Sequence, residues 1–219
     1  MNIPWSYTLL NTLETCPHQA YRRYLRKDVP FEQTPAMRQG EELHRMLQQR
    51  IKHGIVLPAK YEQHEPLCAA ISGYRAAAHV EEALGVTEDQ QPCDFWDHNV
   101  WGRGRIDLAV CNAPHAIILD WKTGSPRENP FELEVQAYLL KINYPKLETI
   151  VGRYVWLREN RLGPVHDLSD TLGTLKRIRK MLERADGYAA KEDWPKTKTP
   201  LCGWCNVKDC EHNPKRNAA

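Results

Sequence analysis

The chain has 219 residues, of which 42% are hydrophobic and 26% charged, and its formal net charge is only +2. This composition is typical of a soluble globular protein, and the net charge alone does not indicate nucleic-acid binding. No apolar run approaches the roughly 20 residues of a membrane-spanning helix, and no signal-peptide segment opens the chain. We therefore expect a cytoplasmic protein without a membrane partner, in which seven cysteines argue against a disulfide scaffold.

The first third of the chain has helical periodicity. Residues 6–27 predict two short helices, with Ser6 as an N-cap and Cys16-Pro17 as the interruption between them. Residues 36–53 predict a stronger helix, and residues 66–85 a third one.

The hydrophobic pattern of the sequence then changes towards a period of two residues, which predicts strands. Three successive strands are expected, followed by a helix, a fourth strand and a long amphipathic helix. The predicted ranges are 86–96, 100–111, 115–122, 130–143, 148–157 and 168–190. This order predicts an α/β fold with a sheet flanked by helices.

A carboxylate and an ammonium group lie two residues apart at the end of the third predicted strand, in Asp120 and Lys122. Side chains alternate across a strand, so these two project to the same side. Together they could hold a divalent cation and steer a water molecule beside it. The same spacing is also common in plain surface ion pairs at strand ends.

A second carboxylate, Asp107, lies on the preceding predicted strand, on the same face as Arg103 and Arg105. If the two strands form a hairpin, Asp107 approaches Asp120, and two such carboxylates repel unless a cation or a proton intervenes. A salt bridge from Asp107 to an arginine is the alternative interpretation.

His44 is the third candidate ligand. It shares a helix stripe with Gly40, whose missing side chain would let another part of the chain approach. An imidazole added to carboxylate oxygens suits Mg²⁺ or Mn²⁺, although a lone histidine on an apolar face is often a core residue. Glu88 is a further candidate ligand or supporting contact, with a solvent-facing glutamate as the alternative.

These motifs, taken in order, resemble the RecB-like branch of the PD-(D/E)XK nuclease superfamily. The resemblance covers residues 6–212, and the N-terminal motifs and the closing cysteines look like phage-encoded exonucleases of that branch. The residues that carry it are Gly40 to His44, Gly104 to Asp107, Asp120 to Gly124, Ser6-Tyr7, Cys16-Pro17, Thr34 to Met37 and Cys202 to Cys210.

The resemblance implies a restriction-endonuclease-like fold and a metal-dependent deoxyribonuclease. His44, Asp107, Asp120 and the backbone carbonyl of Trp121 would hold Mg²⁺ or Mn²⁺, and Lys122 would orient the attacking water. An exonuclease acting in phage recombination or DNA end processing, in the host-cell cytoplasm, is the expected role. DNA is the expected substrate, and a phage annealing or replication protein the expected partner.

The chain departs from the family at the helix after Asp120. The family carries a glutamine and a tyrosine there that contact DNA or support the site. Tyr138 matches the tyrosine, but Glu134 stands in the glutamine's place and Gln136 lies two residues along. Glutamate cannot donate the amide hydrogen bonds of glutamine. Arg105 is a further candidate DNA contact.

The tail has metal-ligand spacing in Cys202, Cys205 and Cys210. His212 would complete a structural zinc site with them, and Cys16 is the alternative fourth ligand. The resemblance favours Cys16, because iron–sulfur members of the family, including AddB-type nucleases, place one cysteine upstream and three near the C-terminus. A [4Fe–4S] cluster would then join the two ends of the chain. The other cysteines, Cys68, Cys93 and Cys111, are expected to be small core residues.

We therefore predict a single nuclease domain over residues 1–219. It has an N-terminal helical segment (1–35), a nuclease core (36–190) and a cysteine-bearing tail (191–219). Basic clusters at 22–27 and 176–180 are candidate DNA-path residues, or else solvated helix faces. The rival function is a non-catalytic nucleic-acid-binding module with a structural zinc site.

Overall fold

A computed structural model describes residues 3–126 and 129–216. The chain divides into two compact units, one made of residues 1–33 and 175–219 and the other of residues 34–174. The division predicted from the sequence, a single nuclease domain with two terminal segments, stays a prediction. Among the helices of the described ranges, none is both long enough and apolar enough to cross a membrane.

The second unit is built on a mixed sheet in the order β2-β1-β3-β4-β5-β6, with β7 paired to β5. The β4–β5 pair is parallel and the other pairs are antiparallel. The strands are β1 (Ala78–Val86), β2 (Pro92–Cys93), β3 (Gly102–Asn112), β4 (His115–Lys122), β5 (Thr149–Trp156), β6 (Arg161–Leu162) and β7 (His166–Asp167). The predicted α/β class, with a central sheet flanked by helices, is confirmed, and the sheet is mixed.

Three helices accompany this sheet: α3 (Pro35–His53), α4 (Glu65–Ser72) and α5 (Phe131–Asn143). The apolar stripe of α3, with Leu47 and Ile51 at its centre, joins a buried cluster with Leu108 and Trp121 of the sheet. Thr34 caps α3 by accepting a hydrogen bond from the amide of Met37 (3.2 Å).

Helix α5 packs closely on β3 at Gly104, where a Cβ would lie 2.7 Å from the Leu139 side chain of the helix. At that distance the leucine would have to move to admit a side chain. The glycine therefore lets α5 lie close to β3, the strand that carries Asp107.

The first unit contains α1 (Tyr7–Thr15), α2 (Pro17–Ala20) with a π turn over Tyr21–Leu25, and most of α6 (Thr171–Ala190). Its N- and C-terminal segments are in direct contact: the amide of His18 donates to the carbonyl of Pro195 (3.0 Å), and Tyr21 stacks on Trp194 at 5.2 Å between ring centres. Beyond α6, the regular structure of the described residues, up to 216, is limited to a 3-10 turn over Pro200–Trp204.

Two of the predicted elements are wrong. The helix predicted over 66–85 ends at Ser72, and the strand predicted over 86–96 begins at Ala78 and ends at Val86. Residues 76–85 are rich in alanine and glutamate, which favours a helix locally. Pairing with β3 along its length overrides that preference. The helices expected over 36–53, 130–143 and 168–190, and the strands expected over 100–111, 115–122 and 148–157, are confirmed to within three residues at each end.

Candidate metal centre and nuclease cleft

Asp120 lies near the end of β4 and is only 2% exposed. Its Oδ1 accepts a hydrogen bond from Gln136 Nε2 (2.7 Å), and its Oδ2 lies 2.6 Å from Lys122 Nζ. Burial, helped by the nearby charges of Asp107 and Glu132, raises the pKa of Asp120 above the usual range, and Lys122 opposes that rise. Lys122 is therefore the neighbouring cation that stabilises the ionised form of the buried Asp120 carboxylate.

Lys122 is held between two carboxylates. Its ammonium contacts Asp120 and donates a hydrogen bond to Glu132 Oε2 (2.7 Å) on the first turn of α5. Burial tends to lower the pKa of Lys122, but the two carboxylates outweigh burial and raise it. Lys122 is therefore a cation, in contact with the buried carboxylate that the sequence places two residues before it.

Asp107 links β3 to β4 and α3. Its Oδ2 accepts a hydrogen bond from the backbone amide of Trp121 (2.7 Å), and its Oδ1 lies 3.4 Å from His44 Nδ1. Burial lowers the pKa of His44, but the charges of Asp107, Asp120 and Glu81 outweigh burial and raise it. The alternative interpretation of Asp107, a salt bridge to an arginine, is not among the contacts that the described residues make.

Glu81 is an acidic group that the sequence interpretation missed. The neighbouring β1–β3 pairs, Val80 with Leu108 and Glu82 with Ile106, put Glu81 opposite Asp107. Glu81 itself has φ +52°, a left-handed conformation that is rare for a residue with a side chain and that often marks a functional site. No signal pointed to Glu81, because the segment around it had been interpreted as a helix.

His44, Glu81 and Asp107 each offer a ligand atom, and these three atoms lie within 4.8 Å of one another. Burial first, and then repulsion by Asp107, raises the pKa of Glu81. Two carboxylates and one imidazole in such close proximity suit a hard divalent cation, which would relieve their repulsion. The ligand atoms of His44, Glu81 and Asp107 therefore fit a divalent metal ion.

These ligands line an open cleft of about 570 Å³. Lys122, Trp121 and Arg105 line the same cleft, and so does the Thr123-Gly124 turn after β4. A Cβ at Gly40 would lie 3.0 Å from Thr123 Oγ1, so the glycine of the G-x-x-x-H motif makes room for a side chain of that turn. This close approach agrees with the expectation that Gly40 admits another part of the chain.

Helix α5 supplies the remaining candidate residues. Gln136, rather than Glu134, donates to Asp120, and Glu132, which had no role in the sequence interpretation, holds Lys122. Tyr138 is 2% exposed within the core. Glu134 lies partly buried one turn before it. The i, i+4 spacing of Glu132 and Gln136 puts both side chains on one face of the helix.

Two further candidates lie at different places. Glu88 is exposed in the turn beyond the end of β1 and is not among the residues that line the cleft. Arg105 is on the cleft wall, with its Nη1 3.9 Å from Glu81 Oε2. The structure thus puts Arg105, but not Glu88, beside the candidate ligands.

Four cysteines lie together in the first unit. Cys16 lies between α1 and α2, and Cys202, Cys205 and Cys210 come from the tail; all four line one cavity of about 240 Å³. Burial raises the pKa of the Cys205 thiol, and proximity to the other three raises it further. His212, also within the described ranges, is not among the residues that line this cavity. Cys68, Cys93 and Cys111 belong to the second unit, and only Cys68 is fully buried.

The family model of the PD-(D/E)XK nuclease superfamily matches residues 4–210. The chain therefore belongs to this superfamily. Among solved structures, the crystal structure of SSO0001 is similar over 97% of this chain and 88% of that chain, with a TM-score of 0.53 and 16% identity. At that identity the likeness concerns the fold. No curated protein matches the chain significantly.

Proposed function

We propose that the protein is a metal-dependent DNA exonuclease that hydrolyses phosphodiester bonds in the cleft of the second unit. The superfamily supports nuclease activity. One observation carries the assignment of the site: His44, Glu81 and Asp107 converge in a cleft that is also lined by Lys122, the ion-pair partner of buried Asp120.

In this proposal His44, Glu81, Asp107 and Asp120, with the backbone carbonyl of Trp121, hold Mg²⁺ or Mn²⁺. When bound, such an ion lowers the pKa of a coordinated water and offsets charge on the phosphate. Lys122 orients the nucleophile or stabilises the negative charge of the transition state. Glu132 and Gln136 position Lys122 and Asp120 through the hydrogen bonds already described.

The finer parts of this proposal rest on the resemblance of the sequence motifs to RecB-like phage exonucleases. They are the exonuclease action, a role in phage recombination or DNA end processing, and an annealing or replication protein as partner. Arg105 supports a DNA substrate, because a guanidinium on the wall of an acidic cleft can bind a phosphate that approaches the metal.

The decisive experiment compares linear and circular DNA. Purified protein is incubated with end-labelled single- and double-stranded linear DNA and with matching circles, with and without Mn²⁺. An exonuclease degrades the linear molecules from their ends in the presence of metal and leaves the circles intact. Cut circles would mean an endonuclease. Binding without cleavage of any substrate would favour the rival non-catalytic module.

We also propose that Cys16, Cys202, Cys205 and Cys210 bind a [4Fe–4S] cluster. Four cysteines lining one cavity supply the ligand set of such a cluster, and they come from both ends of the chain. The position of His212 outside the cavity lining speaks against the zinc site in which His212 is the fourth ligand.

A further inference from the structure

Trp96 is one of the most exposed large apolar side chains of the second unit, with 77% of its surface accessible. It lies on the loop between β2 and β3, and its indole meets the ring of Phe95 edge-on at 4.9 Å. A single exposed hydrophobic residue is ordinary on a protein surface. Trp96 differs because of what holds it in place and what lies next to it.

The loop that carries Trp96 is fixed by several backbone contacts. The amide of Asp97 donates to the carbonyl of Asp94 (3.0 Å), and Arg103 Nη1 donates to the carbonyl of Phe95 (3.2 Å). A Cβ at Gly85 would lie 2.8 Å from the Asp94 carbonyl oxygen, so the loop packs directly on β1. The indole is therefore presented by an ordered backbone, and little conformational entropy remains to be lost when a ligand binds.

A row of cation–π contacts connects Trp96 to the cleft. The Arg103 guanidinium lies 4.3 Å from the centre of the Trp96 ring and 4.9 Å from that of Phe95. The Arg105 guanidinium lies 5.9 Å from the same Phe95 ring, and Arg105 Nη1 is 3.9 Å from the candidate metal ligand Glu81. Stacking on aromatic rings occupies the face of a guanidinium, so the N–H donors that Arg103 does not give to the Phe95 carbonyl can bind phosphate.

The spacing of this row fits a nucleic-acid strand. Alternate residues of a strand lie on one face roughly 7 Å apart, so Arg103, Arg105 and Asp107 follow one another along β3. Successive phosphates of an extended single strand could contact these arginines while the scissile phosphate lies at Asp107. Arg103 covers one face of the Trp96 ring, and the high exposure of the residue leaves the other face open.

We propose that Trp96 stacks on an unpaired base of the substrate while Arg103 and Arg105 bind its backbone, so that the site takes single-stranded DNA or an unpaired end. The proposal rests on the proposed nuclease function and names its substrate class. Bases inside a duplex are already stacked and cannot occupy this face.

The test is DNA binding by fluorescence anisotropy in EDTA, so that no cleavage occurs. Trp96→Ala should weaken binding of a single-stranded oligonucleotide about tenfold, whereas Trp96→Phe should weaken it less than threefold. Tyr74→Ala is the matched control, because Tyr74 is an exposed aromatic residue of the same unit (62% accessible) that is not among the residues lining the cleft. It should bind as the wild type does.

A second comparison uses an abasic oligonucleotide of the same length, which keeps the phosphates and lacks the bases. Trp96→Ala and wild type should bind it equally. An equal loss on abasic, single-stranded and blunt duplex DNA, or no loss on any of them, overturns the stacking role. Wild-type cleavage with Mn²⁺ is measured separately, so that a failure of the nuclease function is distinguishable from a failure of the stacking proposal.

Discussion

The two candidate sites of this molecule are built in contrasting ways. The acidic cleft takes its ligands from strands and a helix that pack against a buried apolar cluster, and its side chains are tied by short hydrogen bonds and ion pairs. The cysteine cavity is bordered by the junction of α1 and α2 at Cys16 and by a tail whose only regular element beyond α6, among the described residues, is one 3-10 turn.

Because the two sites are built differently, we expect substitutions in them to affect folding stability differently. A cleft residue on a packed strand can be changed at a cost to chemistry with little cost to folding, because apolar packing holds the backbone. A ligand in a tail with little core of its own contributes to folding directly, because binding the group is what orders the segment. Substitutions at the two sites should therefore give opposite patterns of activity and stability.

The largest expected effect is the loss of cleavage in Asp120→Asn. Asparagine keeps the shape of the residue and an oxygen that can accept from Gln136, but it removes the charge that pairs with Lys122 and would bind metal. We expect cleavage with Mn²⁺ to fall by at least roughly 1,000-fold, with a melting temperature within a few degrees of wild type. Initial rates and circular-dichroism melting curves measure the two quantities.

Asp167→Asn is the control for this variant, because Asp167 lies exposed on β7, where it accepts a hydrogen bond from the amide of Ser169. It should cut DNA at the wild-type rate. If Asp120→Asn also cuts at that rate, the catalytic cleft has been assigned to the wrong place.

Sequence reasoning reached the parts of this cleft that local patterns encode. The structure has the predicted site residues on the predicted helix and strands, because strand alternation and helix spacing are local properties of the sequence. These residues are Gly40, His44, Asp107, Asp120 and Lys122. Glu81 could not be predicted as a site residue from the sequence, because its segment favours a helix locally and becomes a strand only by pairing with β3. Glu132 was missed for a related reason: its contact with Lys122 depends on how α5 packs on the sheet.

The second prediction concerns the cysteine cavity. Cys16→Ala should remove the iron and the brown colour of anaerobically purified protein, and should lower the melting temperature by about 5–10 °C. The reason is that the cluster joins segments almost 190 residues apart in the chain, which restricts the unfolded state. Iron analysis and thermal unfolding measure both effects.

Cys93→Ala serves as the matched control, because Cys93 lies on the edge strand β2, outside the cavity. Its iron content should equal that of wild type. Colourless protein with about one zinc per chain that is lost in His212→Ala, and not in Cys16→Ala, would contradict the cluster and support the zinc alternative.

A smaller effect is expected at Glu81, the residue that only the structure reveals. Glu81→Gln removes one of three converging ligands, so we expect the Mn²⁺ concentration for half-maximal cleavage to rise roughly tenfold. Glu88→Gln, at the exposed turn beyond the same strand, should leave that concentration unchanged. Superimposable metal titrations for Glu81→Gln and wild type would remove Glu81 from the ligand set.

The smallest effect concerns the basic cluster at 22–27, which the sequence made a candidate for the DNA path. In the structure Arg22 is only 13% exposed and binds two carboxylates, Asp28 and Asp209, at 2.8 and 2.9 Å. A guanidinium already paired twice has few donors left for phosphate. We therefore assign Arg22 to the stability of the first unit, and Arg105 to DNA binding at the cleft.

These assignments predict different salt dependences. Arg105→Gln should reduce the slope of log affinity against log salt by about one, because one phosphate contact and its released counterion are lost. Arg22→Gln should leave this slope unchanged while lowering the free energy of unfolding by roughly 1 kcal/mol, the scale of a partly exposed ion pair. Anisotropy titrations at several salt concentrations and urea unfolding measure the two quantities. Equal changes of slope in both variants would mean that the basic cluster at 22–27 also binds DNA. Arg22 would then be a substrate-binding residue like Arg105, and not a structural one.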